Sequence, residues 1–311
     1  MKMRILITGG AGCLGSNLIE HFLPQGHEIL VLDNFATGNR EVVPEGIKGL
    51  SLIEGSVTDE ILVENAFSDF KPSHVIHSAA AYKDPEDWQE DANSNVIGSI
   101  IVAKAAQKVN VKRLINFQTA LCYGRPDIVP IPEVSPTRPF TSYGISKTAG
   151  EQFMMMGDVP TISLRLANIT GPRLSIGPIP TFYTRIKQGK GCFCSDTKRD
   201  FLDMEDFLDV MDIVLQEDAP TGIYNISTGE GKSIKDVFDA VANYLEIDAG
   251  DVPIVPPGDD DVPAVVLDPS KTKTDFGWQS KISFKDTIER MLQWYDAHGI
   301  SAIHSHLKAP K

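Results

Sequence analysis

The 311-residue chain has only four cysteines: Cys13, Cys122, Cys192 and Cys194. They are too few and too unevenly spaced for a disulfide framework, so a packed core must hold the fold. Cys192 and Cys194 form the pair in "CFC", but no His or further Cys stands near them in sequence, and no metal is expected. Basic residues are in deficit, 29 Lys and Arg against 42 Asp and Glu, for a net charge of −13. That balance disfavours nucleic acid and anionic membrane surfaces as partners. Long apolar runs are lacking, and "MKMRILITGG" enters a strand pattern directly, without the apolar stretch of a leader peptide. The expectation is a reduced, cytoplasmic protein. His304 and His306, in the tail "SAIHSHLKAPK" (301–311), read as tail residues rather than ligands.

The composition itself is ordinary for a globular protein, 42% apolar and 23% charged. Short apolar runs at 3–8, 28–32, 50–54, 74–77, 113–118 and 161–165 read as strands. Amphipathic stretches such as 13–23 and 95–107 lie between them. This alternation predicts βαβ units and a parallel sheet covered on both faces, an α/β fold. After about Leu166 the rhythm breaks. "GPRLSIGPIP" and "DVPIVPPGDDDVPAVVLD" suit a loop-rich lobe, completed by helix-like stretches at 234–244 and 284–295.

"ILITGGAGCLGSNLIEHF" sets Gly9, Gly12 and Gly15 at the turn from the first strand into the first helix. The first glycine permits a tight turn, the second a close approach of backbone to a pyrophosphate, and the third close helix–strand packing. The helix N-terminus faces the phosphates. Asp33 in "VLDNFATG", at the next strand end, can accept both ribose hydroxyls and repels a 2′-phosphate, which favours NAD over NADP. A Rossmann doubly wound sheet follows.

"SYGISKTAGE" holds Tyr143 and Lys147 one helical turn apart, on one helix face. A phenol is a poor base at its ordinary pKa of about 10. A neighbouring ammonium and the positive charge of an oxidised nicotinamide favour the phenolate. Upstream, "NFQTALCYG" places the hydroxyl of Thr119 at a strand end, where open α/β sheets carry their chemistry.

With "TGGAGCLGS", "DNFATG", "HSAAAY", "NSNVIGS", "TALCYG", "YGISK", "LRLANITGPR", "KRDFLDMEDF" and "YNISTG", the chain resembles an extended short-chain dehydrogenase/reductase of the NAD-dependent nucleotide-sugar epimerase/dehydratase family. The similarity runs from Met3 to about Tyr295. It implies a Rossmann domain over 1–166 with a return segment at about 202–224. A smaller C-terminal α/β nucleotide-sugar-binding lobe takes 167–201 and 225–300, and 301–311 is a tail. It implies Thr119, Tyr143 and Lys147 as the catalytic triad and Asn95 as the asparagine that orders the lysine's surroundings. Further NAD contacts are implied at Asn34, Thr37, Gly38, Ser56, Val57, Ala79 and Ala80, alongside Tyr143 and Lys147. Asn168 and Arg199 are implied to hold the nucleotide diphosphate, for which a guanidinium fork is suited. Uridine as the base, and a homodimer through a four-helix bundle built on 95–107 and 143–156, follow from the same resemblance. Met154, Met155 and Met156 look like surplus apolar residues for that interface.

Relatives that eliminate water resemble this chain around the triad but carry Thr-Asp-Glu, where Ala120 and Leu121 stand here. Neither moves a proton, which argues against elimination. Inversion at C4 needs less equipment, the triad and NAD as the carrier of hydride. Tyr143 takes the proton of the 4-hydroxyl, Thr119 hydrogen-bonds the same oxygen, and hydride leaves C4 and returns to the opposite face after the 4-ketose turns. The expected function is therefore a 4-epimerase of a UDP-hexose or UDP-hexuronate. The alternatives are a nucleotide-sugar dehydratase, an NADH-dependent reductase, or a redox-sensing binding protein without turnover.

The sugar is less legible. In "GPRLSIGP", Ser175 stands where uronate epimerases resemble one another in a second arginine, while "GDDDVP" resembles their "GDVP". Lys83 in "AAAYKDPEDW" is a candidate cation for a sugar carboxylate or hydroxyl, weighed against a solvated loop lysine. "YKDP" and "QTALCYG" resemble epimerase-like proteins of bacterial surface-polysaccharide clusters.

Overall fold

The computed structural model describes residues 2–82, 84–248, 250–258 and 261–300. Six apolar runs become the strands β1 (Arg4–Thr8), β2 (Glu28–Asp33), β3 (Leu50–Glu54), β4 (His74–His77), β5 (Arg113–Thr119) and β6 (Thr161–Leu166). Together with Gly222–Ile226 they form one parallel sheet. Its order is β3, β2, β1, β4, β5, β6 and Gly222–Ile226. The chain works outward from β1 to β3, then crosses back to β4 on the other side. The strand order therefore reverses between β1 and β4, and the crevice beyond their carboxyl ends is where doubly wound sheets bind ligands.

Alternate residues of the strands feed opposite cores. Ile5, Ile7, Ile29 and Val31 pack with Leu18 and Phe22 of α1 (Cys13–Phe22) and with Phe207 and Met211 of the helix Met204–Val214. Leu6, Leu30, Val75 and Leu114 pack on the other side. There they meet Phe67 of α2 (Glu60–Phe70), Val102 of α4 (Gly98–Lys108) and Met154 of α5 (Ser142–Met155). Met154 is thus a core residue, and its assignment to a subunit interface is corrected. A third cluster joins the helices Pro178–Lys187, Ile234–Tyr244 and Phe284–His298 into the lobe through Phe182, Val237, Phe238 and Leu292.

Caps explain where the helices begin. Asp59 accepts from Leu62 N at the start of α2, and Thr141 accepts from Gly144 N at the start of α5. Ser233 and Asp236 form a reciprocal capping box in the lobe. Helix α1 differs: Gly12 is its N-cap, and no side chain caps it.

The stretch 95–107 is not one α-helix. The short helix α3 (Trp88–Asp91) runs into a π-helical turn, Ala92–Ile97, and only then into α4. The reason is local. Asn95 is held by its side chain, and its carbonyl pushes against α5 so closely that a Cβ on Gly150 would lie 2.3 Å from it. Such bulges recur at functional sites.

Candidate active site

The glycine turn lies beyond β1. Gly9 has φ +68°, and a Cβ there would lie 2.6 Å from Ala79 N, so the exits of β1 and β4 pass in backbone contact. A Cβ on Gly15 would lie 2.6 Å from Gly9 O, which confirms the helix–strand packing read from the sequence. Gly12 is different, because a Cβ on it would meet only Gly9 O at 3.3 Å. Its outward side is open to a ligand, as a pyrophosphate seat requires. Asp33 closes the end of β2. Its Oδ2 accepts from Ala11 N at 2.9 Å and its Oδ1 from Phe35 N at 2.8 Å, which leaves one lone pair on each oxygen for hydroxyl donors.

The other expected cofactor residues surround this turn. Asn34 Oδ1 accepts from Ala36 N at 3.1 Å. A Cβ on Gly38 would come within 2.8 Å of Ala11 Cβ, and Asn39 N donates to Ala11 O at 3.0 Å, so the loop bearing Thr37 lies against the glycine turn. Beyond β3, Ser56 Oγ pairs with Thr58 Oγ1 at 2.8 Å, and Val57 is buried against Gly98. An uncapped helix N-terminus, an open glycine and a carboxylate with free lone pairs at the strand reversal fit a dinucleotide.

A directional hydrogen-bond chain runs beneath the site. Ala79 N–H donates to Thr8 Oγ1 (3.3 Å), and Thr8 lies 2.8 Å from His77 Nδ1. His77 Nε2 lies 3.2 Å from Ser99 Oγ, which donates to Asn95 O at 2.7 Å. Because Ser99 spends its proton on a carbonyl, His77 must donate through Nε2 and accept through Nδ1 from Thr8. Burial, reinforced by the charge on Lys147, pushes His77 down to about 3, so it is neutral. Asn95 clamps Ala81 at both backbone groups, accepting from its N–H and donating to its C=O at 2.9 Å each. It also donates to Ser146 Oγ at 3.0 Å. It therefore orders the chain beyond β4 and reaches the lysine's helix through Ser146.

Thr119 ends β5. Its Oγ1 accepts from Leu121 N at 3.2 Å, which leaves the hydroxyl proton to donate elsewhere. Gln118 bridges strand and helix, accepting from Thr119 N at 2.7 Å and donating to Lys147 O at 2.9 Å. The sequence reading missed Gln118; its only signal is a second amide, after Asn116, in the strand end "NFQT". Ala120 and Leu121 lie in a short 3₁₀ turn and pack with Ile131, Val262, Val265 and Leu267, so hydrocarbon fills the places where carboxyl groups would act.

Lys147 is buried, and desolvation lowers its pKa to about 8 against the opposing pull of Glu151. Tyr143 is raised, by burial first and then by the nearby Tyr82 and Asp91. In the protein without a bound nicotinamide, desolvation dominates and holds the phenol above its ordinary value.

Across the crevice, Asn168 donates to Asp200 O through both N (3.0 Å) and Nδ2 (2.9 Å). The buried Asp200 carboxylate receives Thr228 N, Thr228 Oγ1 and Gly229 N, which ties in "YNISTG". Arg199 donates to Val262 O at 2.8 Å and pairs with Asp261. It is held in the lobe rather than beside the triad. Lys83 lies outside the described residues. Among the described residues no three or more His, Cys, Asp or Glu side chains are grouped to hold a metal ion.

The profile of the family described as "NAD dependent epimerase/dehydratase family" matches residues 5–227. The chain belongs to that family. Its cofactor is NAD. Among solved structures, the Bordetella bronchiseptica enzyme WbmG in complex with NAD is 70% identical, with a TM-score of 0.95 over 99% of this chain and 98% of that one. The same enzyme in complex with NAD and UDP matches at 0.94. A UDP-glucose 4-epimerase of Lactobacillus helveticus is 29% identical over 95% of this chain and 98% of its own length.

Proposed function

We infer that the chain is an NAD-dependent epimerase that inverts C4 of a UDP-sugar. The reading is supported by Thr119 at the carboxyl end of β5, by Tyr143 and Lys147 one turn apart on α5, and by the hydrocarbon of Ala120 and Leu121 that follows Thr119. When bound, NAD takes up hydride from C4 and returns it, and its positive charge favours the phenolate. Tyr143 receives the proton of the 4-hydroxyl and gives it back. Thr119 donates a hydrogen bond to the same oxygen. Lys147 supplies a positive charge in a dry site, where it acts strongly. Asn168 and Arg199 are the proposed diphosphate grip, in a lobe spanning 167–201 and 225–300 that closes on a dinucleotide domain of 1–166 and 202–224. The WbmG structure with UDP and the UDP-sugar epimerase relatives support a uridine nucleotide.

A two-fold pairing through α4 and α5 is part of the proposal. Ile97, Ile145, Phe153 and Met156 are exposed on or beside these helices, an apolar face suited to burial. Light scattering on Phe153→Glu tests it, with a monomer expected. Four unpaired thiols support a cytoplasmic setting, and no helix among the described residues is long and apolar enough to cross a membrane.

The deciding experiment incubates the protein with UDP-glucose, UDP-N-acetylglucosamine, their galacto epimers and UDP-glucuronate in D2O, read by proton NMR and mass. A C4 epimer without deuterium is expected. A product lighter by water, with deuterium at C5 or C6, overturns the reading in favour of elimination.

A further inference from the structure

One face of α1 grips the start of the lobe. Cys13, Asn17 and Glu20 stand at successive turns of that helix and so share a face. Asn17 is buried, and its Nδ2 donates to Cys13 O at 2.8 Å and to Pro172 O at 3.1 Å. Cys13 Sγ also donates to Pro172 O, at 3.4 Å. One residue on, Arg173 Nη1 donates to Glu20 at 3.1 Å. The other side of this turn is held from within the lobe, where Tyr295 Oη donates to Leu174 O at 2.6 Å.

The turn is strained. Arg173 has φ +68°, a left-handed backbone that a residue with a side chain adopts only at a cost. Strain of that kind persists where the surroundings over-determine it, and it gathers at functional sites. Each flank of the contact leads into the candidate site. On one side is the first turn of α1, which begins at the uncapped N-terminus beside the open Gly12. On the other, the strand Asn168–Thr170 runs directly into the turn and carries Asn168.

We propose that Asn17 is a positioning residue: it braces the strand that carries Asn168 against the helix that seats the dinucleotide, and so sets the lobe's affinity for a nucleoside diphosphate. Asn17 acts through Pro172 O, on the reading of Asn168 as part of the diphosphate grip, on which this proposal rests. Hydride exchange gives such a brace its use. Sugar and nicotinamide are held by different parts of the chain, and their separation has to stay fixed while hydride leaves and returns.

The test titrates UDP into the NAD-loaded protein by calorimetry. Asn17→Leu keeps the volume and removes both donors, and it should weaken UDP about tenfold, the scale of one well-placed hydrogen bond. Arg173→Gly relaxes the backbone and breaks the pair with Glu20. It should weaken UDP about threefold, and it serves also if Asn17→Leu does not fold. Asp59→Ala is the control for stability alone. It removes the cap of α2, on the opposite face of the sheet, and should lower the unfolding midpoint with UDP affinity unchanged. Unchanged UDP affinity in both Asn17→Leu and Arg173→Gly overturns the brace, and so does an equal loss in Asp59→Ala. An unaltered protein that binds no UDP overturns instead the diphosphate reading on which the brace depends.

Discussion

Helix α5 carries two buried polar groups of opposite character, one turn apart. At the second, the ionised groups are paired with one another, although Asn116 Oδ1 beside them has no partner. Glu151 Oε1 accepts from Ser163 Oγ at 2.7 Å and from Arg165 Nε at 3.2 Å, and its Oε2 accepts from Arg165 Nη2 at 2.6 Å. Asn116 Nδ2 donates to Ser163 Oγ, and the guanidinium lies 4.8 Å from the Tyr123 ring centroid. At the first, Lys147 and Tyr143 are each displaced by burial toward their neutral forms. The saturated turn binds the helix to β5 and β6, and the strained turn keeps groups poised to exchange a proton. On the proposed function, reactivity depends on this displacement toward the neutral forms, and the next turn holds the helix in place.

The contrast is broken most sharply at its reactive end. Tyr143→Phe should lower kcat about 10³-fold, the usual scale for removing an acid–base group, and leave thermal unfolding nearly unchanged. A comparable loss of stability would show that the phenol is structural. At the saturated end the effect reverses. Glu151→Ala strands the Arg165 charge in the core and should cost about 3–5 kcal/mol in urea unfolding. An unaltered midpoint would remove the distinction between the two turns.

How much of this was legible depends on the range of the cause. Six of the seven strands of the main sheet appear within a residue or so of the apolar runs, because buried strands require continuous hydrophobic stretches; the edge strand Gly222–Ile226 was not read from the sequence. The glycine turn was legible because Gly15 answers to contacts within the same motif, whereas the contact that requires Gly9, with Ala79 beyond β4, lies far along the chain. The π-helical turn at Ala92–Ile97 was not, since a slip in hydrogen-bond register leaves the apolar spacing almost intact. Nor was the partnership of Glu151 with Arg165, which joins a helix to the following strand, or the inward turn of Met154, since three consecutive methionines do not reveal which of them faces the core. Thr119, Tyr143 and Lys147 were proposed from residue type, whereas Gln118, which joins the backbones of Thr119 and Lys147, serves through placement alone.

Between the two turns lies a pH-dependent coupling. Lys147 loses its proton as pH rises through about 8, so kcat/KM should fall on the alkaline side near that value. Glu151→Gln, which removes the charge opposing desolvation, should move the fall to lower pH. The stability slope has a definite sign. Between about 8 and the ordinary lysine value of 10.5, the unfolded chain binds the proton that the folded one has released. Stability attributable to this group therefore rises with pH there, by about 1.4 kcal/mol per unit at most. An alkaline limb that stays in place in Glu151→Gln would show that Lys147 does not control it.

The smallest effect is expected at Thr119, and it separates chemistry from capping. Its oxygen accepts from Leu121 N, and only its proton is free to reach a substrate. Thr119→Val removes both functions and should slow turnover about tenfold, the worth of one well-placed hydrogen bond. Thr119→Ser keeps both and should restore most of the rate. If Thr119→Val instead lowers stability while sparing kcat, Thr119 belongs with the saturated groups and Tyr143 handles the sugar oxygen alone.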